Sequence, residues 1–271
     1  MILDVADEHK TPHLSKTDRM ILFLFELGIC TREQLEVITG WSTNQINGAI
    51  RRIRATADNP DEWVTSWRPR QNKPAVYALG SEGMAYAREL RGEFSEDARR
   101  KRPPRGQVHH FVGTNQILVR LIRSGLNVQE WMSGKGVSVW LYNELLTRVE
   151  PGKPEPKNSP YRPDALVRVN GVSFLVEYDT ASEPSPRLME RFSRAFDLSV
   201  MMPLPPILFV TVSERRCEEA ARALERAIER YPERDILGSR IPDILFCTEG
   251  TEVDFLRTYL ETCGTPLRLV R

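Results

Sequence analysis

Cysteine is scarce and scattered in this chain. Cys30, Cys217, Cys247 and Cys263 form no Cys-x-x-Cys pair and no Cys/His cluster. That spacing argues against a disulfide framework and gives no zinc-site pattern, so reduced thiols are expected. No apolar run approaches the roughly 18 residues of a membrane-spanning helix, and no charged-then-apolar leader stands at the start. The expectation is a cytoplasmic protein with no membrane partner. Charge of one sign is lacking too: the net charge is +1, although 28% of residues are charged. Such an average does not demand a polyanionic partner for the chain as a whole. The length of 271 residues suits one large domain or two ordinary ones, each able to bury a core.

The near-neutral average conceals two basic patches. Between Ser42 and Gly80, Arg51, Arg52, Arg54, Arg68, Arg70 and Lys73 outnumber Asp58, Asp61 and Glu62. The run Arg99-Arg100-Lys101-Arg102-Pro103-Pro104-Arg105 contains no acid at all. From residue 107 onward, 21 basic and 22 acidic residues balance.

The first patch lies in a segment with helical and strand signals in a definite order. Ser15 to Leu27 opens with capping residues and turns apolar at helical spacing, and Gly28 ends it. Thr31 at N-cap and Gln34 at N3 have the form of a capping box opening a short helix that Gly40 stops. Ser42 or Thr43 then caps a third helix, Asn44 to about Ala57, with Ile46, Ala49, Ile50 and Ile53 on one face. Its other face carries Asn44, Gln45, Asn47, Arg51, Arg52 and Arg54, residue types that bond base edges or phosphates. Trp63–Trp67 and Ala75–Leu79 read as strands joined by a loop bearing Arg68, Arg70 and Lys73. Ser81–Arg91 reads as a closing helix. This order is that of a winged helix-turn-helix over residues 12–94, in which the third helix enters the major groove of double-stranded DNA. The candidate DNA contacts are Thr43, Asn44, Gln45, Asn47, Arg51, Arg52, Arg54, Arg68, Arg70, Lys73, Arg100 and Lys101. Residues 95–106 read as a basic linker whose phosphate contacts would add affinity without sequence information.

The remaining chain, 107–271, alternates strand and helix signals, which argues a mixed α/β sheet with helices on both faces. Val108 to about Ser124 reads as a helix with Asn115 on its apolar stripe, where a buried, hydrogen-bonded role for Asn115 and His110 is expected. Val128–Trp131 reads as a strand, then Val137 to Leu141. The Pro/Lys/Glu-rich stretch 150–160 reads as a surface loop. Ala165–Val169 and Val172–Tyr178 flank Asn170-Gly171, the strongest short hairpin signal. Residues 187–199 read as a helix, Ile207–Val212 as a buried strand, Glu214–Tyr231 as a long amphipathic helix and Ile244–Cys247 as a core strand. Asp164 precedes the hairpin's first strand, and Glu177 and Asp179 share one face at the end of its second. Carboxylates gathered so closely need a cation or a proton to relieve their repulsion. Asp164, Glu177 and Glu130 are the candidate oxygen ligands for Mg²⁺.

The spacing Arg162-Pro163-Asp164…Glu177-Tyr178-Asp179 resembles the PD-(D/E)xK nuclease core, with Asp179 where that motif has lysine. The wider order His110…Asn115…Glu130-Trp131…Asp164…Glu177-Tyr178-Asp179-Thr180…Glu183, preceded by the winged helix, resembles the replication-relaxation family over about residues 15–215. Phe174-Leu175-Val176-Glu177-Tyr178-Asp179-Thr180 is its strongest single match. Many members carry a Lys-Leu-x-x-Tyr pattern in the following helix; here the place is taken by Arg191-Phe192-Ser193-Arg194-Ala195-Phe196. The resemblance implies an α+β chain, a winged helix followed by a PD-(D/E)xK-like domain, belonging to a plasmid or integrative element. It implies an accessory of mobilisation or replication that acts near an origin with a relaxase or replication initiator. Asp164, Glu177 and Asp179 are candidates for catalysis, and none is assigned to it, since arginine at 191 cannot serve as a base. A transcription regulator of a mobile element and a Mg²⁺-dependent endonuclease or nickase are the alternative readings. A homodimer would supply the second half-site that one winged helix cannot read.

Overall fold

The computed structural model describes residues 11–55, 58–93, 105–148, 159–232 and 238–262, together with Asp4, Asp7 and His9. It is a mixed α/β structure with two sheets, in two compact units, Met1–Gly125 and Leu126–Arg271. Among the described residues, no helix is long and apolar enough to cross a membrane.

In the first unit, α1 (Lys16–Leu27) starts from a capping box in which Ser15 and Asp18 satisfy each other's exposed donors. It ends at Gly28, whose φ of +67° favours glycine and whose missing Cβ leaves room for the Phe111 ring. A three-residue strand, β1 (Ile29–Thr31), leads into α2 (Arg32–Thr39), opened by the expected Thr31/Gln34 box. There follow α3 (Thr43–Ala55), the single turn α4 (Pro60–Trp63), strands β2 (Val64–Trp67) and β3 (Val76–Leu79), and α5 (Ser81–Leu90). The strands form an antiparallel sheet in the order β1-β3-β2, with Val64 opposite Leu79 and Ile29 opposite Ala78. Met20, Phe23, Leu24, Leu35, Ile46, Ala49 and Val64 are among the fully buried side chains beneath it.

Helix α6 (Val108–Arg123) belongs to this first unit, which runs to Gly125. The reason lies in polar contacts: Gln34 Nε2 donates to Val112 O (2.8 Å) and Gln116 Oε1 (3.1 Å). Asn115 Nδ2 donates to the carbonyls of Leu27 (2.9 Å) and Ile29 (3.0 Å). The buried role expected for Asn115 is therefore observed, and its partners are the last turn of α1 and the first residue of β1. Residues 94–104, which hold most of the basic run including Arg100 and Lys101, lie outside the described residues.

The second unit is built on a five-stranded sheet, β4 (Val128–Ser133), β5 (Ala165–Val169), β6 (Val172–Asp179), β7 (Ile207–Thr211) and β8 (Ile244–Thr248), in that spatial order. β4, β5 and β6 are antiparallel, and β6, β7 and β8 parallel. Asn170 and Gly171 take φ of +49° and +84°, the paired left-handed conformations of the tight turn expected from their sequence. The run Val137 to Leu141 is not extended: it lies in α7 (Gly134–Leu146). Val137, Leu141 and Leu145, all buried, recur every four residues, and that helical period overrides the local β propensity of valine. The expected loop 150–160 falls almost wholly on residues 149–158, outside those described.

The parallel crossovers are α8 (Ser185–Met201) and α9 (Glu214–Arg230), whose Phe192, Phe196, Ala220 and Ala223 cluster with Phe209 of β7. Glu177 sits in register with Phe209, and Asp179 with Thr211, so both carboxylates lie on the face that α8 and α9 cover. Phe174 points to the other face, where it meets Tyr259 of α10 (Glu252–Glu261) edge-on at 5.4 Å. Helices therefore lie on both faces of this sheet.

Candidate functional site

Of the residues expected to contact DNA, α3 sorts those held by the protein from those turned outward. Ser42 and Gln45 form a third reciprocal cap: Ser42 N donates to Gln45 Oε1 (2.9 Å) and Gln45 N to Ser42 Oγ (3.4 Å). Thr43 Oγ1 donates to Glu36 Oε1 at 2.5 Å, and Arg54 Nη2 to Asp61 Oδ1 at 2.7 Å. Thr43, Gln45 and Arg54 thus each make a bond within the protein. Ile46, Ala49, Ile50 and Ile53 turn inward, which leaves Asn44, Asn47, Arg51 and Arg52 exposed. Positions 44, 47 and 51 fall three and four apart, so they line one face of the helix.

The β2–β3 loop adds exposed Arg68, Arg70 and Lys73, its bend closed by Lys73 N donating to Arg70 O at 3.0 Å. Arg105, which composition placed in the basic linker, lies with its guanidinium 5.1 Å from the centre of the Trp67 ring on β2. That stacking adds a cation to the strand pair. A tryptophan in a short strand and an arginine at the end of a basic run form too weak a pattern to read from sequence.

In the second unit the carboxylates of the acidic motif are brought together, but each is already engaged. Asp164 N donates to Val176 O (2.9 Å), and its Oδ2 accepts from Tyr178 N (2.8 Å), so the side chain extends the β5–β6 ladder. Glu177, 1% exposed, accepts from Arg191 Nη1 at 2.8 Å. The other fork of that guanidinium donates to Glu183 Oε2 at 2.9 Å. Burial pulls the Arg191 pKa downward, but the charges of Glu177, Asp164 and Glu183 outweigh it and hold the guanidinium above its ordinary value. Tyr161 is buried beside this pair; burial first, then the Glu177 charge, hold its phenol well above its ordinary value, against the opposing charge of Arg191.

Asp179, at the position of the motif lysine, is buried at 4% exposure and paired with Arg216 of α9. Arg216 bonds it through Nε and, at 3.3 Å, through Nη2, and Nη2 also donates to the Glu183 carbonyl at 2.6 Å. The hydrogen bond to Asp179 chiefly raises the Arg216 pKa, against the effect of burial. The sequence singles out Arg191 by its place in the helix after the acidic motif, but nothing marks Arg216, which lies among many charges on an amphipathic helix.

Glu130 does not join this group. It pairs in register with Arg168, four residues along β5 from Asp164 and thus roughly 13 Å away at the rise of a strand. Among the described residues no three His, Cys, Asp or Glu side chains assemble into a metal-holding group. The residues present do not fit a divalent ion at Asp164 and Glu177, because the Arg191 guanidinium already lies against Glu177 and within the field of Asp164. A divalent ion there would have to displace that guanidinium from the Glu177 carboxylate.

A family model described as replication-relaxation matches residues 22–197, a span that takes in parts of both units. No curated protein and no solved structure matches the chain.

Proposed function

Because this chain belongs to the replication-relaxation family, we propose that it is a DNA-binding accessory protein of a mobile element. In this reading the first unit is a winged helix. Helix α3 enters the major groove of duplex DNA near an origin of replication or transfer, and the β2–β3 loop lies along the phosphate backbone as the wing. One observation carries the reading. Once the local bonds of Thr43, Gln45 and Arg54 are set aside, the polar side chains left exposed on α3 are those of Asn44, Asn47, Arg51 and Arg52. Asparagine reads adenine and arginine reads guanine bidentately in the major groove. Arg68, Arg70 and Lys73 on the neighbouring loop supply the sequence-independent attraction to phosphate.

The second unit, in the same reading, is a PD-(D/E)xK-like scaffold that does not cleave DNA. Support comes from the two guanidinium–carboxylate pairs, Arg191–Glu177 and Arg216–Asp179, which occupy the acidic motif. Arginine does not deprotonate in proteins, so neither can act as the proton acceptor of a hydrolytic site. The expected partners are double-stranded DNA, a relaxase or replication initiator, and a second copy of the chain to read a second half-site.

Footprinting on the DNA surrounding its gene tests this function. Protection at an origin or nick site is expected; protection confined to a promoter would instead make the protein a regulator. Supercoiled plasmid incubated with Mg²⁺ or Mn²⁺ is expected to stay intact. Nicking that disappears in Asp164→Ala would overturn the scaffold role.

A further inference from the structure

Gly48 stands in the middle of α3 with no reason inside the protein to be glycine. Glycine in a helix interior is disfavoured against alanine, because it loses more backbone freedom on folding. At two other glycines of this unit, Gly83 inside α5 and Gly28 at the end of α1, packing requires the missing Cβ. A Cβ on Gly83 would sit 2.3 Å from Trp63 O, and one on Gly28 would sit 2.6 Å from the Phe111 ring. A Cβ on Gly48 would meet only Arg52 Nη1 at 3.9 Å, an ordinary contact, and its φ is not in the left-handed region.

Its place on the helix is specific. Gly48 follows Asn44 by one turn, adjoins Asn47, and precedes Arg51 and Arg52 by three and four residues. It is thus a notch within the exposed polar face. The two asparagines flanking it have the shortest arms on that face. A bidentate bond from asparagine to a base edge needs the helix backbone close to the floor of the groove, whereas arginine can reach from further out. Removing one Cβ at the centre of the face lets the backbone approach by about one bond length, roughly 1.5 Å.

We propose that Gly48 marks the closest approach of α3 to duplex DNA, and that its missing side chain is what allows Asn44 and Asn47 to read bases. The inference rests on the DNA-binding function proposed above. It makes stability and recognition move in opposite directions on one substitution, which a structural glycine would not do.

The test compares the wild-type full chain with Gly48→Ala and Gly48→Gln. Each is measured for thermal midpoint and for affinity to a duplex selected by the wild type from a randomised pool, with a scrambled duplex as control. Both substitutions are expected to raise the midpoint, roughly 2–8 °C for alanine from its helix propensity. Affinity for the selected duplex is expected to fall at least tenfold for alanine and further for glutamine, with little change on the scrambled duplex. Undiminished affinity of Gly48→Gln for the selected duplex, or a lowered midpoint for Gly48→Ala, would overturn the inference while leaving DNA binding in place. A wild type that selects no duplex would instead remove the function on which the inference rests.

Discussion

Arg191 and Glu177 form a bond of 2.8 Å across the α8–β6 packing, and the carboxylate is nearly sealed from solvent. Removing one member of such a pair strands the other charge in a medium that solvates it poorly. Arg191→Ala is therefore expected to lower the stability of the second unit by about 3 kcal/mol. Adding Glu177→Gln to that variant should restore much of the loss, because the stranded charge is gone. Chemical denaturation of the three proteins checks this. A loss in the single variant below about 1 kcal/mol would place the pair with weak surface bridges.

Tyr161 gives the same cluster a pH signature. Burial, then the Glu177 charge, raise its phenol well above the ordinary value, which is about 10. In the unfolded chain the phenol loses its proton near that pH, while in the folded chain it keeps it. Above that pH the unfolded state binds fewer protons, so stability falls as pH rises. The contribution is complete below about pH 10 and is lost from there upward. Tyr161→Phe should flatten this alkaline part of the stability profile. An unchanged slope in that variant would show that another group carries it.

Asn115 ties α6 to two backbone carbonyls, those of Leu27 at the end of α1 and Ile29 at the start of β1. Asn115→Ala is expected to destabilise the first unit by about 3 kcal/mol, since each stranded buried acceptor costs roughly 1–3 kcal/mol. DNA affinity of the folded fraction at low temperature should hardly change, as Asn115 lies away from the exposed face of α3 and is buried. A selective loss of binding with stability intact would reassign this residue.

Much of the local structure was legible because its causes are local. The Thr31/Gln34 box forms as its spacing indicated, with donor–acceptor distances of 3.0 and 3.2 Å. Asn170-Gly171 turns where its backbone preferences require. What sequence could not give is mostly long-range. β1 is three residues long and exists because Cys30 pairs with Tyr77. Gln34 was readable as a cap, but not as the anchor of a helix whose Gln116 lies far along the chain. α10 has no counterpart among the elements expected from sequence. Asp179 read as a lost lysine, yet Arg216, 37 residues on, restores a cation to that position from another element.

On α3 and its neighbouring loop the expected effects of substitution differ in kind. Arg51→Ala should relax sequence preference, by about 1–3 kcal/mol at the base it reads. Arg70→Ala should weaken binding to all sequences alike and reduce the salt slope by about one phosphate contact. Competition assays with a selected and a scrambled duplex separate the two. Equal losses on both duplexes for both variants would show that α3 is not the reading helix.

The most direct measurement is the affinity of the purified full chain for duplex DNA as ionic strength is raised from a low value. Binding that weakens linearly on logarithmic axes, with a slope that shrinks in a combined Arg51→Ala/Arg70→Ala variant, is the expected result. A chain that leaves duplex DNA unbound even at low salt would contradict the function proposed for this protein.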